Sequence, residues 1–273
     1  MENIPIGIMQ GRLSSKIGQP LQSFPFDDWS LEFMRAKTIG FDQIEWLVDG
    51  TNDHNNPITS AIGRSKILKL SEKHNITINS LCIHSLINGD LLLKGDKYIK
   101  AIKSFSSILT WAQELNIKFV ILPVMDSMSI QSKSSQEKLK DILNSIDNTE
   151  GPKVLLESDL PGVYLKQFIE DVALDNVGIL YDLGNATALG FDIKKELDLL
   201  HSLIGEVHIK DRFSKNGSSV RLGMAETPFE LAFNTLKKLS WNGSFVLETP
   251  IFDNWEDEAN ANFLFTKKLV KTL

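Results

Sequence analysis

Four residues in the second half of the chain carry the strongest chemical signal. One short apolar run ends Val154-Leu-Leu-Glu157 and a second ends Ile179-Leu-Tyr-Asp182. A third contains Val207-His208-Ile-Lys-Asp211, and a fourth ends Val246-Leu-Glu248. Each acid or imidazole follows directly on strand-like residues, so each is expected at the mouth of a core rather than on open surface. An ionised group there must be paired or bound to metal, because an isolated buried charge is costly. Three carboxylates in one cavity repel one another, and no Lys or Arg ends a neighbouring strand to neutralise them all. A single divalent cation resolves that. Three carboxylates and one imidazole form a mostly hard oxygen set, which suits Mn²⁺ first, with Mg²⁺, Co²⁺ or Zn²⁺ as alternatives. Taken singly, an acid at a strand end is more often a helix N-cap or half of a loop ion pair, and Asp182 in Asp182-Leu-Gly-Asn185 fits that description. Four on successive strands fit the metal better.

The elements that must position them are legible as an alternation. Short apolar runs occupy residues 4–9, 41–46, 76–83, 119–122, 153–156, 177–181, 206–209 and 244–247. Each is bounded by Gly, Asn, Pro or a charge, as buried parallel strands are. Between them lie amphipathic patterns with one apolar stripe. Residues 29–39 carry Trp29, Phe33, Met34 and Ala36; residues 99–115 repeat Ile102, Phe105, Ile108, Leu109 and Ala112. Residues 229–239 place Leu231, Phe233, Leu236 and Leu239 alike, and 256–273 close the chain with Phe263, Leu264, Leu269 and Val270. Gly40, Asn75, Asn116 and the pair Asn242-Gly243 stand where helices should stop. Residues 127–135 read as a loop after the fourth strand. Eight such βα units of about 34 residues each predict an α/β fold, a (β/α)₈ TIM barrel formed as a single domain over residues 1–273. An open doubly wound sheet is the alternative, but the first junction, Met9-Gln10-Gly11-Arg12-Leu13, lacks the three-glycine phosphate turn.

With those residues in place, the chain resembles the xylose-isomerase-like TIM-barrel superfamily of sugar and sugar-phosphate isomerases and epimerases, which also contains endonuclease IV. The likeness runs through Gly7-Ile-Met-Gln-Gly-Arg-Leu13, Gly40-Phe-Asp-Gln-Ile-Glu45-Trp46, Leu156-Glu157, Asp182-Leu-Gly-Asn185, His208-Ile-Lys-Asp211 and Gly243-Ser-Phe-Val-Leu-Glu248. It implies that Glu157, Asp182, His208 and Glu248 hold the metal. It also implies that Glu157 and Glu248 face opposite sides of a bound sugar as an acid/base pair. The resemblance thus points to ketose epimerisation or aldose–ketose isomerisation by proton transfer through a metal-stabilised enediolate.

Further residues could meet substrate. His84 ends the third strand, where it could bond a sugar hydroxyl, stand behind a metal ligand, or be a core-edge histidine satisfied by a carbonyl. Glu45 resembles a family position near substrate or anchors a loop, and Asn185 falls where relatives contact substrate or caps the next helix. Lys210, Arg212 and Arg221 are candidates for an anionic group, since loops after the seventh and eighth strands often form a barrel's phosphate site. Against that, Lys210-Asp211-Arg212 alternates charge as a solvated loop does, and Gly223-Met-Ala-Glu226 lacks the second glycine of the Gly-x-Gly that relatives show. Arg12 is another candidate anion ligand. Trp255, after the eighth strand, could line a sugar site.

Composition bounds the alternatives. The chain has 273 residues, 42% hydrophobic and 23% charged, with a formal net charge of −6. That balance opposes a phosphate backbone, so no nucleic acid is expected as partner and a small sugar or sugar phosphate is. An endonuclease-IV-like nuclease needs a histidine-rich three-metal cluster, and of five histidines only His84 and His208 end strands. A non-catalytic sugar-binding barrel has no need of two opposed metal carboxylates. A keto-polyol dehydratase uses the same metal-enolate logic and stays closest. Cys82 is the only cysteine, which excludes an intrachain disulfide; inside an apolar run it reads as an inert buried thiol. The N-terminus has no secretory pattern and no run approaches a membrane span, so the expectation is a cytoplasmic protein without a membrane partner. Barrels of this size are often dimers or tetramers; a homo-oligomer is an expectation the residues do not specify.

Overall fold

Runs that are apolar at nearly every position need cover on both faces, and a parallel barrel wrapped by helices supplies it. The computed structural model describes residues 4–15, 20–50, 53–146, 150–214 and 217–273. The N-terminal residues 1–3, read above for a leader, lie outside the described residues. The barrel strands are β1 (Ile6–Met9), β2 (Gln43–Val48), β3 (Ser80–Ile83), β4 (Phe119–Val124), β5 (Lys153–Ser158), β6 (Val177–Asp182), β7 (Ile204–Ile209) and β10 (Ser244–Leu247). They close in the order β1-β10-β7-β6-β5-β4-β3-β2, all pairs parallel. Between β7 and β10 the chain forms an antiparallel hairpin, β8 (Asp211–Arg212) with β9 (Ser219–Val220). The eight expected strand runs each fall on a barrel strand.

The helices are α1 (Glu32–Ile39), α2 (Ala61–His74), α3 (Asp96–Glu114), α4 (Lys133–Ser145), α5 (Gly162–Val172), α6 (Leu183–Ala188), α7 (Ile193–Leu200), α8 (Phe229–Lys238) and α9 (Trp255–Val270). In α3 the predicted stripe is buried at Phe105, Ile108, Leu109 and Ala112. Three stripe assignments were too generous: Met34 (49% exposed), Leu231 and Leu264 (56% exposed) face outward. In α1 the buried positions are Glu32, Phe33 and Ala36, so a short helix presents a narrower face than its apolar residues suggest. Gly40, Asn75 and Asn116 take the left-handed conformation as expected, whereas after α8 it is Ser240 (φ 56) and not the Asn242-Gly243 pair. The 127–135 stretch is less loop-like than its composition: a 3₁₀ turn covers Asp126–Met128, and Ser132 Oγ caps α4 by accepting from Ser135 N. Among the described residues no helix is long and apolar enough to cross a membrane.

Two apolar layers separate inside from outside. The larger packs helices against the barrel's outer face, and the smaller fills the barrel with Met9, Leu47, Cys82, Ile121, Leu155, Leu180 and Val246. Because strand side chains alternate, residues two further along each strand also point inward, now at the C-terminal mouth. Leu155 therefore leads to Glu157, Leu180 to Asp182, Val246 to Glu248 and Cys82 to His84. A register shift between Ile179 and Leu180 matters here: it sets Asp182 beside His208 rather than beside Val207, whose side chain faces the helices.

Candidate metal centre and acid/base pair

The four predicted ligands converge. Glu157, Asp182, His208 and Glu248 are all buried, and each offers one ligand atom such that the four atoms lie within 4.8 Å of one another. His208 is held from both sides: Nδ1 lies 3.0 Å from Glu248 Oε2, and Nε2 lies 3.1 Å from Glu45 Oε2. Glu45 is fully buried and does not reach the cavity above. Its carboxylate accepts the Nε2 proton, which keeps Nδ1 turned toward the quartet, as carboxylate–histidine pairs behind metals do. The expectation of a substrate contact at Glu45 is thus replaced by an orienting one.

The quartet also meets a cation expected either to bind an anion or to lie in a solvated, charge-alternating loop. Lys210 Nζ lies 2.6 Å from Glu248 Oε1 and 3.1 Å from Asp182 Oδ2. Its stem crosses Gly184 at the start of α6, where an added Cβ would stand 2.7 Å from Lys210 Cγ and 2.8 Å from the Lys210 carbonyl oxygen. Gly184→Ala is therefore expected to lower stability by about 1–3 kcal/mol and to weaken metal binding, as thermal melts and Mn²⁺ titration will show. The expectation that no Lys or Arg ends a neighbouring strand to neutralise all the acids needs correcting in part: Lys210 follows β7 directly and pairs with Glu248 and Asp182.

The charge arrangement splits the acids. Burial, then repulsion from Glu248 and Asp182, pushes the Glu157 carboxyl up to about 8. Burial also raises Asp182, partly offset by Lys210. Burial works against the Glu248 carboxylate too, but Lys210 and the His208 hydrogen bond outweigh it and hold that carboxyl well below the usual range. His208 is raised well above an ordinary imidazole: burial opposes the charge, and Glu45 and Glu248 override it. These residues fit a divalent ion. Asp182 Oδ2 is buried and accepts no hydrogen bond, Lys210 Nζ lying off its hydrogen-bonding direction, and the donor set is three carboxylates with one imidazole.

A cavity of about 490 Å³ opens over this floor, in the size range of small-molecule sites. Glu157, Glu248, Asn185, Lys210, Arg212 and His84 line it, together with Gln22, Asp126, Ser218 and Ser219. Burial lowers the His84 pKa, so its ring is a neutral hydrogen-bonding group near pH 7. Cys82 is buried as expected and reaches the floor with its thiol pushed well above the ordinary range, first by burial and then by Glu45.

Other predicted contacts are engaged elsewhere. Arg12, 3% exposed, donates from Nε to Thr249 O (3.1 Å), from Nη1 to Leu21 O (3.0 Å) and from Nη2 to Gln22 Oε1 (2.7 Å). Arg12 and Arg221 do not line the cavity; Arg221 makes a bidentate pair with Glu258 on α9, both contacts 2.7 Å. Trp255 lies on α9 under Arg35, 4.8 Å from ring centre to guanidinium, and not on the cavity wall. The turn at 223–225, considered for phosphate, already holds a carboxylate: Asp211 Oδ2 accepts from Gly223 N (2.8 Å), Met224 N (2.9 Å) and Ala225 N (2.9 Å). Asn185 lines the cavity but caps no helix, since Asp182 caps α6 and Asp192 caps α7. Its backbone N–H is capped by Asp182 Oδ1 (2.8 Å), while its side chain donates to Glu157 Oε1 (2.6 Å). Gln22, which sequence reasoning missed, donates to Glu248 Oε1 at 2.6 Å.

Comparison with known proteins agrees with this architecture. The family model described as xylose isomerase-like TIM barrel matches residues 33–269, and the chain belongs to that family. An L-ribulose-5-phosphate 3-epimerase from Shigella flexneri is 24% identical over 259 residues, covering 90% of this chain and 87% of the relative. The solved IolI protein with a bound zinc atom superposes with a TM-score of 0.76 at 16% identity, covering 98% of this chain and 99% of that one. D-psicose 3-epimerase with D-tagatose from Clostridium cellulolyticum H10 gives 0.73 at 15% identity, with 98% and 99% covered. The likeness to these relatives extends over 90% or more of this chain.

Proposed function

We propose that the protein is a divalent-metal-dependent epimerase or isomerase of a ketose or ketose phosphate, with Glu157 and Glu248 as the proton-transfer pair. The observation that carries this reading is geometric: Glu157 and Glu248 are buried together under one cavity, each offering an oxygen within 4.8 Å of the other's and of Asp182 and His208. An ionised carboxylate removes a proton from the carbon beside a carbonyl, and a protonated one returns a proton to the opposite face. The reverse reaction exchanges the two roles. Glu157, Asp182, His208 and Glu248 would hold one divalent ion, Mn²⁺ first, which when bound polarises the substrate oxygens and favours the enediolate. His84, Ser218 and Ser219 line the cavity wall, where they would meet hydroxyls further along the sugar. The likeness to ribulose-phosphate and psicose epimerases supports the substrate class.

The test is direct. Protein loaded with Mn²⁺ and incubated in D₂O with a panel of free and phosphorylated ketoses should incorporate one deuterium beside the carbonyl of at least one of them and yield its epimer or aldose. No exchange into any ketose, free or phosphorylated, would refute the reading.

A further inference from the structure

Both glutamates of the proposed pair are gripped in the same way. On one side Arg12 Nη2 donates to Gln22 Oε1 (2.7 Å), and Gln22 Nε2 donates to Glu248 Oε1 (2.6 Å). On the other, Arg212 Nη1 donates to Asn185 Oδ1, and Asn185 Nδ2 donates to Glu157 Oε1 (2.6 Å). The parts have unrelated origins: the segment after β1 supplies the first arm, and α6 with the β8–β9 hairpin supplies the second.

Physical chemistry makes each arm directional. A side-chain amide has a donating and an accepting end that a half-turn exchanges. A guanidinium can only donate, so an arginine at the carbonyl end leaves only the NH₂ end for the carboxylate. Flipping the amide would set oxygen against carboxylate and N–H against guanidinium, two repulsive contacts at once. Each arm therefore pins one named oxygen of its glutamate: Oε1 of Glu157, and Oε1 of Glu248, which Lys210 Nζ also meets while Oε2 meets His208 Nδ1. Arg12 donates from Nε, Nη1 and Nη2 to protein acceptors, and Arg212 Nε is likewise taken, by Gly217 O.

We propose that Arg12–Gln22 and Arg212–Asn185 are matched positioning arms for Glu248 and Glu157, through which two arginines act on proton transfer. The proposal rests on the two-glutamate reading above.

Its test is a pair of double-mutant cycles read first by Mn²⁺ calorimetry, which needs no substrate. Lysine preserves the charge but not the planar fork, so Arg212→Lys isolates geometry from electrostatics. Asn185→Leu and Arg212→Lys should each weaken Mn²⁺ binding by about tenfold to a hundredfold, the effect of losing a group that orients a metal ligand. Within one arm the double variant should be no more than about twofold worse than the worse single, whereas Asn185→Leu with Gln22→Met, across arms, should multiply. With an active ketose, single variants should lower kcat with KM changed by less than about threefold. Solvent deuterium should then enter one epimer more slowly when the Arg12 arm is cut and the other epimer when the Arg212 arm is cut. Multiplying effects within an arm, unchanged Mn²⁺ affinity, or a rise in KM alone would overturn the proposal. If an Arg12 variant fails to fold, the Arg212 arm decides by the same criteria. Should wild-type protein exchange no ketose proton, the reaction fails while the Mn²⁺ cycles still judge the arms.

Discussion

Glu157→Gln and Glu248→Gln are each expected to stop solvent deuterium from entering a bound ketose, with turnover reduced by about 10²–10⁴-fold or more. An amide neither accepts the carbon-bound proton nor returns one, and each change also removes a candidate metal ligand. The two variants should differ in stability, and the difference tests the electrostatics independently of catalysis. Glu157 is a buried carboxyl pushed toward its neutral form, so a neutral amide of the same shape should leave metal-free protein as stable as before or more so. Glu248 is the shortest contact of Lys210 and the partner of His208 Nδ1. Its replacement leaves a buried ammonium and imidazole short of an acceptor and should cost about 1–3 kcal/mol. Thermal melts beside the exchange assay read both. Wild-type exchange in either variant would remove that glutamate from the pair, and equal melting behaviour would refute the charge split.

What the residues announced and what they concealed differ for a physical reason. Glu157, Asp182, His208 and Glu248 were legible because a strand's alternation carries a side chain to the barrel mouth whatever else happens nearby. The same alternation contained a signal that went unused: Lys210 follows His208 by two and shares its inward face, so it belongs among the acids it neutralises. Long side chains on loops were not legible. Arg12 and Arg221 stand in loops suited to an anion ligand, but their acceptors, Thr249 O and Glu258, lie far along the chain. No local pattern marks Gln22 either, since its value comes from a contact with Glu248 across 226 positions. Local geometry misled in small ways as well. Ser240 rather than the Asn-Gly pair takes the left-handed turn, and the register shift that aligns Asp182 with His208 leaves no trace in composition.

Removing divalent metal with a chelator is expected to abolish turnover, with recovery on adding Mn²⁺, and the affinity should climb steeply with pH. A ligand must lose its proton before it can bind an ion. Glu157 titrates near 8, and the His208 imidazole is held protonated well above its ordinary range. Below about pH 8 both therefore carry protons that the ion must displace, and lowering the pH favours the proton in each competition. Mn²⁺ affinity should fall by about tenfold per pH unit for each proton displaced between pH 8 and 6, and by up to about a hundredfold if both leave together. Glu248, already ionised through Lys210 and His208, adds nothing to that slope. Calorimetry in buffers of different ionisation enthalpy counts the released protons directly. In Glu157→Gln the count should drop by about one, because the amide has no proton to give up in this range. A flat affinity profile, or an unchanged proton count in that variant, would show that the ion is held by other groups.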